Sequence, residues 1–302
     1  MRLLFVGLGS IGNRHLKNTL QILNEKGIIF TIDALRVINA PLASDISTTL
    51  SNIYTDVSEI SSEYDVTFIT NPTHLHHETL KAVTPFSKAV FIEKPVFTKS
   101  DSIKDLNLRR GAIYHVACPL RFSSVYIEMK KIVEKSTVLS ARAICSSYLP
   151  DWRKSTNYRN SYSAKEAGGG VRYDLIHEMD YLYDLFSSPT DISIVAKKIS
   201  DLEIESNDIV CYILEYMNKV VSLHLDYFGR FPKRELELFT LEDTIVGDFL
   251  NNRISYLKAG VVNNLDPLDI HMEEMRYFFD LLEGKEREIN GIIKAADIIQ
   301  YI

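Results

Sequence analysis

The sequence has no excess of positive charge. Its 302 residues carry 34 Lys and Arg against 40 Asp and Glu, a net charge of −6. A chain of that balance offers no basic stripe with which to displace counterions, which argues against a general nucleic-acid surface. It also lacks any apolar run long enough to span a bilayer, which argues against membrane insertion. Cysteine is scarce: Cys118, Cys145 and Cys211 are odd in number, far apart and without C-x-x-C spacing. That excludes a disulfide frame or a zinc ribbon as the organising device and predicts three buried free thiols in a reducing compartment, by default the cytoplasm. Repeats and low-complexity tracts are missing. Arg2 followed by an apolar run could open a signal peptide, but the run is short, has no small-residue cleavage site behind it, and leads into Asn13-Arg14-His15. What remains is an apolar share of 46% and a charged share of 25%, the composition of a soluble globular chain long enough for two domains. The expected ligand is a small molecule.

What is present is concentrated at the start. Leu3 to Val6 is an unbroken apolar run of the kind buried on both faces of a parallel sheet, and it breaks into Gly7-Leu8-Gly9-Ser10-Ile11-Gly12. This is G-x-G-x-x-G at the end of a strand. Gly7 permits the tight turn, Gly9 lets backbone approach a pyrophosphate, and Gly12 lets the next helix pack close. The amphipathic stretch Ile11, His15, Leu16, Leu20 and Leu23 supplies that helix, whose unpaired amides and positive dipole end face the phosphates. A second strand is predicted from Ile28 to Ile32, extending up to Val37. If it stops at Ile32, Asp33 is placed for the adenosine ribose hydroxyl, as NAD prefers; if it continues through Ala34-Leu35, Arg36 stands there and can hold the 2′-phosphate of NADP. The reading leans to Arg36.

Val66 to Thr70 reads as a buried strand ending in Asn71-Pro72-Thr73-His74-Leu75-His76-His77. Ligands of open parallel sheets sit beyond the carboxyl ends of strands, so His74 and His76 are expected to line the cofactor and His77 to begin a helix. No carboxylate or cysteine cluster completes a metal ligand set beside them, and no metal is expected. Lys88 to Ile92 is the next strand, ending in Glu93-Lys94-Pro95. A lysine there is poised over the crevice where desolvation tunes an amine, and a cis bond before Pro95 would fix its direction. A helix from Ser100 to Arg110 and a strand from Ala112 to Ala117 complete an α/β half, residues 1–122, closing at Pro119-Leu120-Arg121-Phe122.

Residues 123–302 change pattern. A helix (Val125 to Glu134) and a strand (Val138 to Tyr148) lead into a polar, aromatic loop with Trp152, Arg153, Tyr158, Arg159 and Tyr162, then Gly168-Gly169-Gly170 and a helix bearing Asp174, His177 and Asp180 near one face. Alternation typical of an open, mainly antiparallel sheet follows through Ile192 to Lys198, Ile209 to Tyr216, Val220 to Tyr227, Arg234 to Thr240, Thr244 to Asp248 and Ile254 to Leu257. Met272 to Leu282 and Ile289 to Ile302 are closing helices of this α+β half.

The order strand-GLGSIG-helix, then NPTHLH, then EKP, then GGG followed by Asp174 and His177-x-x-Asp180, resembles the glucose-fructose oxidoreductase, inositol dehydrogenase and rhizopine-catabolism (Gfo/Idh/MocA) family over nearly the whole chain. That resemblance implies a Rossmann domain, an α+β domain whose sheet supports a homodimer or homotetramer, and NAD(P)-dependent oxidation or reduction of sugars and polyols. It implies that Lys94 is the EKP lysine near the nicotinamide and that His177 matches the histidine of the GGG-D-H pattern. Members usually have four residues from aspartate to histidine, whereas Asp174 to His177 is three; aligning His177 and Asp180 puts Tyr173 in the aspartate's place.

The chemistry expected is hydride transfer to or from a secondary hydroxyl carbon, with His177 as acid/base, Lys94 sharing the proton and polarising the oxygen, and Asp174 orienting one of them. Arg121, Trp152, Arg153, Tyr158, Arg159 and Tyr162 are candidate substrate contacts. Guanidinium forks and aromatic faces suit a phosphorylated, nucleotide-linked or acidic sugar, such as cell-surface glycan synthesis uses. A non-catalytic NAD(P)-binding sensor or scaffold, and a sugar hydrolase or epimerase recycling tightly bound NAD, are the alternatives.

Overall fold

The computed structural model describes residues 1–36, 42, 44–152, 157–166 and 169–302. Apolar strands buried on both faces build its first sheet. In chain order these elements are β1 (Arg2–Val6), α1 (Ser10–Glu25), β2 (Thr31–Leu35), α2 (Ser44–Ser47), β3 (Asn52–Tyr54), β4 (Tyr64–Ile69), α3 (His76–Val83), β5 (Ser87–Ile92) and β6 (Ile113–Val116). The six strands lie parallel in the order β3-β2-β1-β4-β5-β6. That is the doubly wound Rossmann order, with its switch point between β1 and β4. Leu3, Leu4, Phe5, Val66, Phe68, Val90, Phe91 and Ile92 are fully buried, as continuous apolar runs in a sheet covered on both sides must be. Two expectations need correction here. β2 begins at Thr31 and runs on to Leu35, so Asp33 sits inside the strand. The helix expected from Ser100 to Arg110 is only a 3₁₀ turn, Ser100–Ile103, against which the later helix of residues 292–299 packs.

The second sheet follows α4 (Ser124–Lys135), whose N-terminus is capped by the Ser123 hydroxyl accepting from the Tyr126 amide. Its elements are β7 (Val138–Tyr148), α5 (Val171–Asp174), α6 (Ile176–Phe186), β8 (Asp191–Lys197), β9 (Ile209–Tyr216), β10 (Lys219–Asp226), β11 (Phe228–Thr240), β12 (Thr244–Asp248), β13 (Arg253–Tyr256) and β14 (Val261–Asn264). The order is β14-β13-β12-β11-β7-β10-β9-β8, antiparallel except for the β10 and β7 pair. Alternation makes the sheet one-sided. Ala141, Ala143, Val210, Tyr212, Leu214, Val221, Leu223 and Leu236 are buried beneath α4, α5 and α6. On the other face Val195, Ile213 and Val220 are exposed, and Arg142 pairs across strands with Glu237 at 2.5 Å. Cys118 and Cys145 are buried and Cys211 is half-buried, all as free thiols.

The chain divides into two compact units, residues 1–117 with 271–300, and residues 118–270 with 301–302. The closing helices, α7 (Ile270–Leu282) and α8 (Ile292–Ile299), therefore return to the first unit, whereas the sequence division placed them in the second. Packing explains the return. Met275, Phe278, Phe279 and Leu281 join the Rossmann core, with the Phe278 ring 5.2 Å from Phe91 and 6.1 Å from Phe68. α8 lies against β6 and the Ser100–Ile103 turn, on the flank that a crossover helix between β5 and β6 would otherwise cover.

Candidate active site

Strand register gathers the first unit's candidates at one level. Val6 pairs with Leu35 and Ile69, and Ile69 pairs with Ile92, so β1, β2, β4 and β5 end together. The residue after each strand still donates to its neighbour's last carbonyl: Gly7 to Leu35 at 3.1 Å, Thr70 to Val6 at 3.0 Å and Glu93 to Ile69 at 2.9 Å. The carboxyl edge thus carries the glycine turn, Arg36, the Asn71-Pro72 turn and Glu93-Lys94 side by side. Arg36, not Asp33, follows the end of β2; its amide is held by the Tyr54 carbonyl at 2.9 Å.

The glycine turn is shaped for close approach. Gly7 has φ +88°, and a Cβ there would lie 2.9 Å from the Asn71 backbone; one on Gly12 would lie 2.5 Å from the Gly7 carbonyl oxygen. A Cβ on Gly9 would meet no protein atom within 4 Å, so that side of the turn is open. Gly9 is also the N-cap of α1, with no side-chain cap and no acidic residue in the first turn. Leu8 is buried beneath the turn, Ser10 is exposed and Ile11 half-buried. The Asn71 side-chain oxygen is buried without a hydrogen-bond partner among the described residues. Amides, dipole and an unsatisfied polar atom at one edge fit a dinucleotide pyrophosphate.

The histidines after β4 divide. His74 is exposed on the 3₁₀ turn Thr73–Leu75. His76 does not line the edge as expected: it is fully buried, with Nε2 at 2.9 Å from the Asn71 carbonyl oxygen and Nδ1 at 3.2 Å from that of Val96. Burial pushes its pKa down although these carbonyls oppose the shift. Lys94 is half-buried, and the Lys94-Pro95 peptide is cis. Glu93 turns inward, its Oε1 2.5 Å from His15 Nε2. Burial would raise the Glu93 carboxyl, but His15 beside it, with Lys94 and His271, holds it below the ordinary carboxylate range. Sequence reasoning missed this pair; a histidine interrupting the apolar stripe of α1 was its only signal.

In the second unit the expected single helix is broken at Leu175 (φ −98°, ψ 29°), so Asp174 ends α5 while His177 and Asp180 lie on α6. The three do not share one helix. Asp174 is buried and accepts from the Tyr227 hydroxyl at 2.5 Å, and the Trp152 ring meets Tyr227 edge-on at 5.4 Å. Burial and the Asp174 charge raise the Tyr227 phenol, keeping it a donor. His177 is half-buried. Asp180 is bound bidentately by Arg121, at 2.7 and 2.8 Å, and Arg121 also reaches Asp184 at 2.8 Å. Arg121 was expected to contact substrate; with its guanidinium buried between two carboxylates it instead ties the Pro119–Phe122 turn to α6. Trp152 is otherwise exposed and donates to the Ser147 hydroxyl at 2.9 Å. Arg159 pairs with Glu203 and lies over the Tyr158 ring at 5.1 Å; Tyr162 is exposed. Arg153 lies outside the described residues. Tyr227 and the pair of half-buried Arg234 with fully buried Glu178, 2.8 Å, which holds α6 to β11, had no sequence signal because their partners are dozens of residues away.

A doubly wound parallel-sheet unit and a one-sided sheet unit define a two-unit Rossmann-fold protein. Residues 1–116 match the family model described as oxidoreductase family, NAD-binding Rossmann fold (GFO_IDH_MocA). It is 22% identical over 188 residues to an inositol 2-dehydrogenase from Klebsiella pneumoniae (strain 342), an alignment covering 60% of this chain and 53% of the relative. The match thus spans about half the length of that curated relative. Among solved structures, a UDP-N-acetylglucosamine 3-dehydrogenase from Acidithiobacillus ferrooxidans has a TM-score of 0.79 at 17% identity, covering 99% of this chain and 94% of the other. A levoglucosan dehydrogenase in complex with NADH and levoglucosan also has a TM-score of 0.79, at 18% identity and the same coverage. These likenesses concern the fold. Among the described residues, no helix is long and apolar enough to cross a membrane.

Proposed function

We propose that the protein is an NAD(P)-dependent oxidoreductase that moves hydride between a nicotinamide and a secondary hydroxyl or keto carbon of a sugar or sugar derivative. The observation that carries the reading is the common level of the glycine turn, Arg36, Asn71 and Lys94 at the carboxyl edge of the parallel sheet. The inositol, levoglucosan and UDP-N-acetylglucosamine dehydrogenases it is similar to support the substrate class.

A bound nicotinamide would supply the hydride acceptor or donor. The chain's own residues supply the rest. Gly7, Leu8, Gly9, Ser10, Ile11 and Gly12 seat the pyrophosphate on the α1 N-terminus, Asn71, Pro72 and His74 border the cofactor, and Arg36 meets the adenosine ribose. Lys94 polarises the reacting oxygen and shares its proton, and His177 takes or returns the hydroxyl proton. Asp174, held by Tyr227, shapes the substrate side with Trp152, Tyr158, Arg159 and Tyr162, of which Arg159 can meet an anionic group on the sugar. The exposed apolar residues Val195, Ile213 and Val220 on the open sheet face support assembly as a homodimer or homotetramer.

Lys94→Ala and His177→Ala, assayed for NAD(P)H formation with a panel of sugars, should each lower kcat/KM about a hundredfold or more. Wild-type kcat/KM in both variants on a true substrate would remove the assignment. Arg36→Ala should cost NADP binding about tenfold more than NAD binding, the scale of one charge-assisted contact. Equal loss for the two cofactors would remove the lean to NADP.

A further inference from the structure

Lys94 leaves the sheet between two buried imidazoles, one on each side of it along the chain. Upstream, Glu93 keeps its backbone on the β4 ladder through the 2.9 Å bond to Ile69, while its side chain turns inward. One carboxylate oxygen meets His15 Nε2 at 2.5 Å; the other accepts the Lys94 amide at 3.1 Å. Downstream, Val96 is buried and its carbonyl oxygen lies 3.2 Å from His76 Nδ1. Each imidazole stands on a helix that follows a ligand-edge turn. His15 is in α1, which opens on the glycine turn; His76 opens α3, and its other nitrogen lies 2.9 Å from the Asn71 carbonyl oxygen. Both are fully buried. The His15 Nδ1 has no hydrogen-bond partner among the described residues, so Nε2 is its point of attachment and its contact with Glu93 is directional.

We propose that His15 and His76 are positioning residues that fix the Glu93 to Val96 segment against the two cofactor-edge turns and so set the direction of the Lys94 amine. His15 acts through the Glu93 carboxylate and the Lys94 amide, and His76 packs between the Asn71 and Val96 carbonyls, with its one ring N–H donating to one of them. The seat of the dinucleotide and the lysine are then one mechanical unit, and a change at either imidazole reaches Lys94 without touching it. The catalytic consequence rests on the function proposed for Lys94; the geometric one does not.

The test uses the full chain with His15→Leu, His15→Gln, Lys94→Ala and the His15→Leu/Lys94→Ala pair. A limiting pulse of N-hydroxysuccinimidyl acetate followed by peptide mass spectrometry reads the acetylation rate of Lys94 against exposed Lys285 in the same molecule. His15→Leu should change the Lys94 to Lys285 rate ratio several-fold, and His15→Gln, whose amide can donate to Glu93, should restore it. An unchanged ratio in a folded His15→Leu protein overturns the proposal, as does failure of His15→Gln to restore a changed one. If His15→Leu does not fold, His15→Gln paired with Glu93→Gln gives the same readout, and the proposal falls if Glu93→Gln leaves the ratio at its wild-type value. Turnover then separates the two readings. His15→Leu should lower kcat about tenfold with little change in cofactor KM, and should add nothing in the Lys94→Ala background. A loss of the same factor in both backgrounds overturns the route through Lys94. A changed acetylation ratio together with wild-type turnover in Lys94→Ala would uphold the positioning and remove the catalytic role of Lys94 instead.

Discussion

Asp33 is an acid at the centre of an apolar parallel strand, and its surroundings are built to hold it charged. It accepts from the Tyr64 hydroxyl at 2.6 Å, from Arg2 at 2.9 Å and from Asn52 at 2.8 Å. Burial works to raise its pKa, but these three donors outweigh burial and leave it below the ordinary carboxylate range. The sequence left two possibilities for this stretch, a ribose-binding Asp33 or Arg36, and the physical difference was only where β2 stops. Tyr64 from β4, Asn52 from β3 and Arg2 from β1 occupy the Asp33 carboxylate, and none of them is near Asp33 in sequence. A group with a lowered folded pKa contributes stability that is complete above its unfolded pKa and is lost as pH falls through the folded value. Asp33→Asn should therefore cost about 1–3 kcal/mol at pH 7, the scale for a buried partner withdrawn from its donors. Urea melts of wild type and variant should converge as pH falls below the carboxylate range, and a difference that stayed constant with pH would show that the charge on Asp33 contributes nothing.

At the scale of elements, the helix that carries His177 is fixed by ionic contacts more than by its own sequence. Arg121 grips Asp180 and Asp184 on one side, and Arg234 of β11 meets the fully buried Glu178 at 2.8 Å on another. Breaking a buried pair by removing one member is far costlier than replacing both with apolar groups. Arg234→Leu should destabilise by about 3–5 kcal/mol, whereas Arg234→Leu with Glu178→Met should recover most of that loss. Chemical denaturation of the single and double variants checks this; equal losses would mean that packing, not the pair, holds α6. Little of this was legible in advance. Strands with continuous or alternating apolar runs were readable because burial writes a period into the sequence, and the glycine turn was readable because close approach excludes a Cβ. The break at Leu175 carries no glycine or proline, so periodicity ran through it and placed Asp174, His177 and Asp180 together. The 3₁₀ turn at Ser100–Ile103 was misread for the opposite reason. Its apolar spacing suits a helix, but α8, two hundred residues later, covers that flank.

For the whole molecule, the boundary that matters is the one between units, and it does not follow the order of the chain. Residues 271–300 complete the first unit: Phe278 fills the space among Phe68, Phe91 and His115, Arg276 pairs with Glu25 at 2.6 Å, and Lys26 pairs with Asp280 at 2.9 Å and Glu283 at 2.7 Å. The exposed pairs contribute little each; the aromatic does most of the work. Phe278→Ala should then cost about 3–5 kcal/mol, as truncation of a buried aromatic does, and the loss should fall on the first unit. Mass action provides the check, since a ligand present at a hundred times its Kd stabilises the unit that binds it by about 2.7 kcal/mol. Calorimetric melts with and without NAD(H) and NADP(H) should show one transition that rises with cofactor, that same transition lowered in Phe278→Ala, and much of the loss offset by saturating cofactor. A Phe278→Ala effect confined to a cofactor-insensitive transition would detach α7 from the Rossmann core. Insensitivity of every transition to all four nucleotides would leave the glycine turn as a packing device and the proposed redox function without its first requirement.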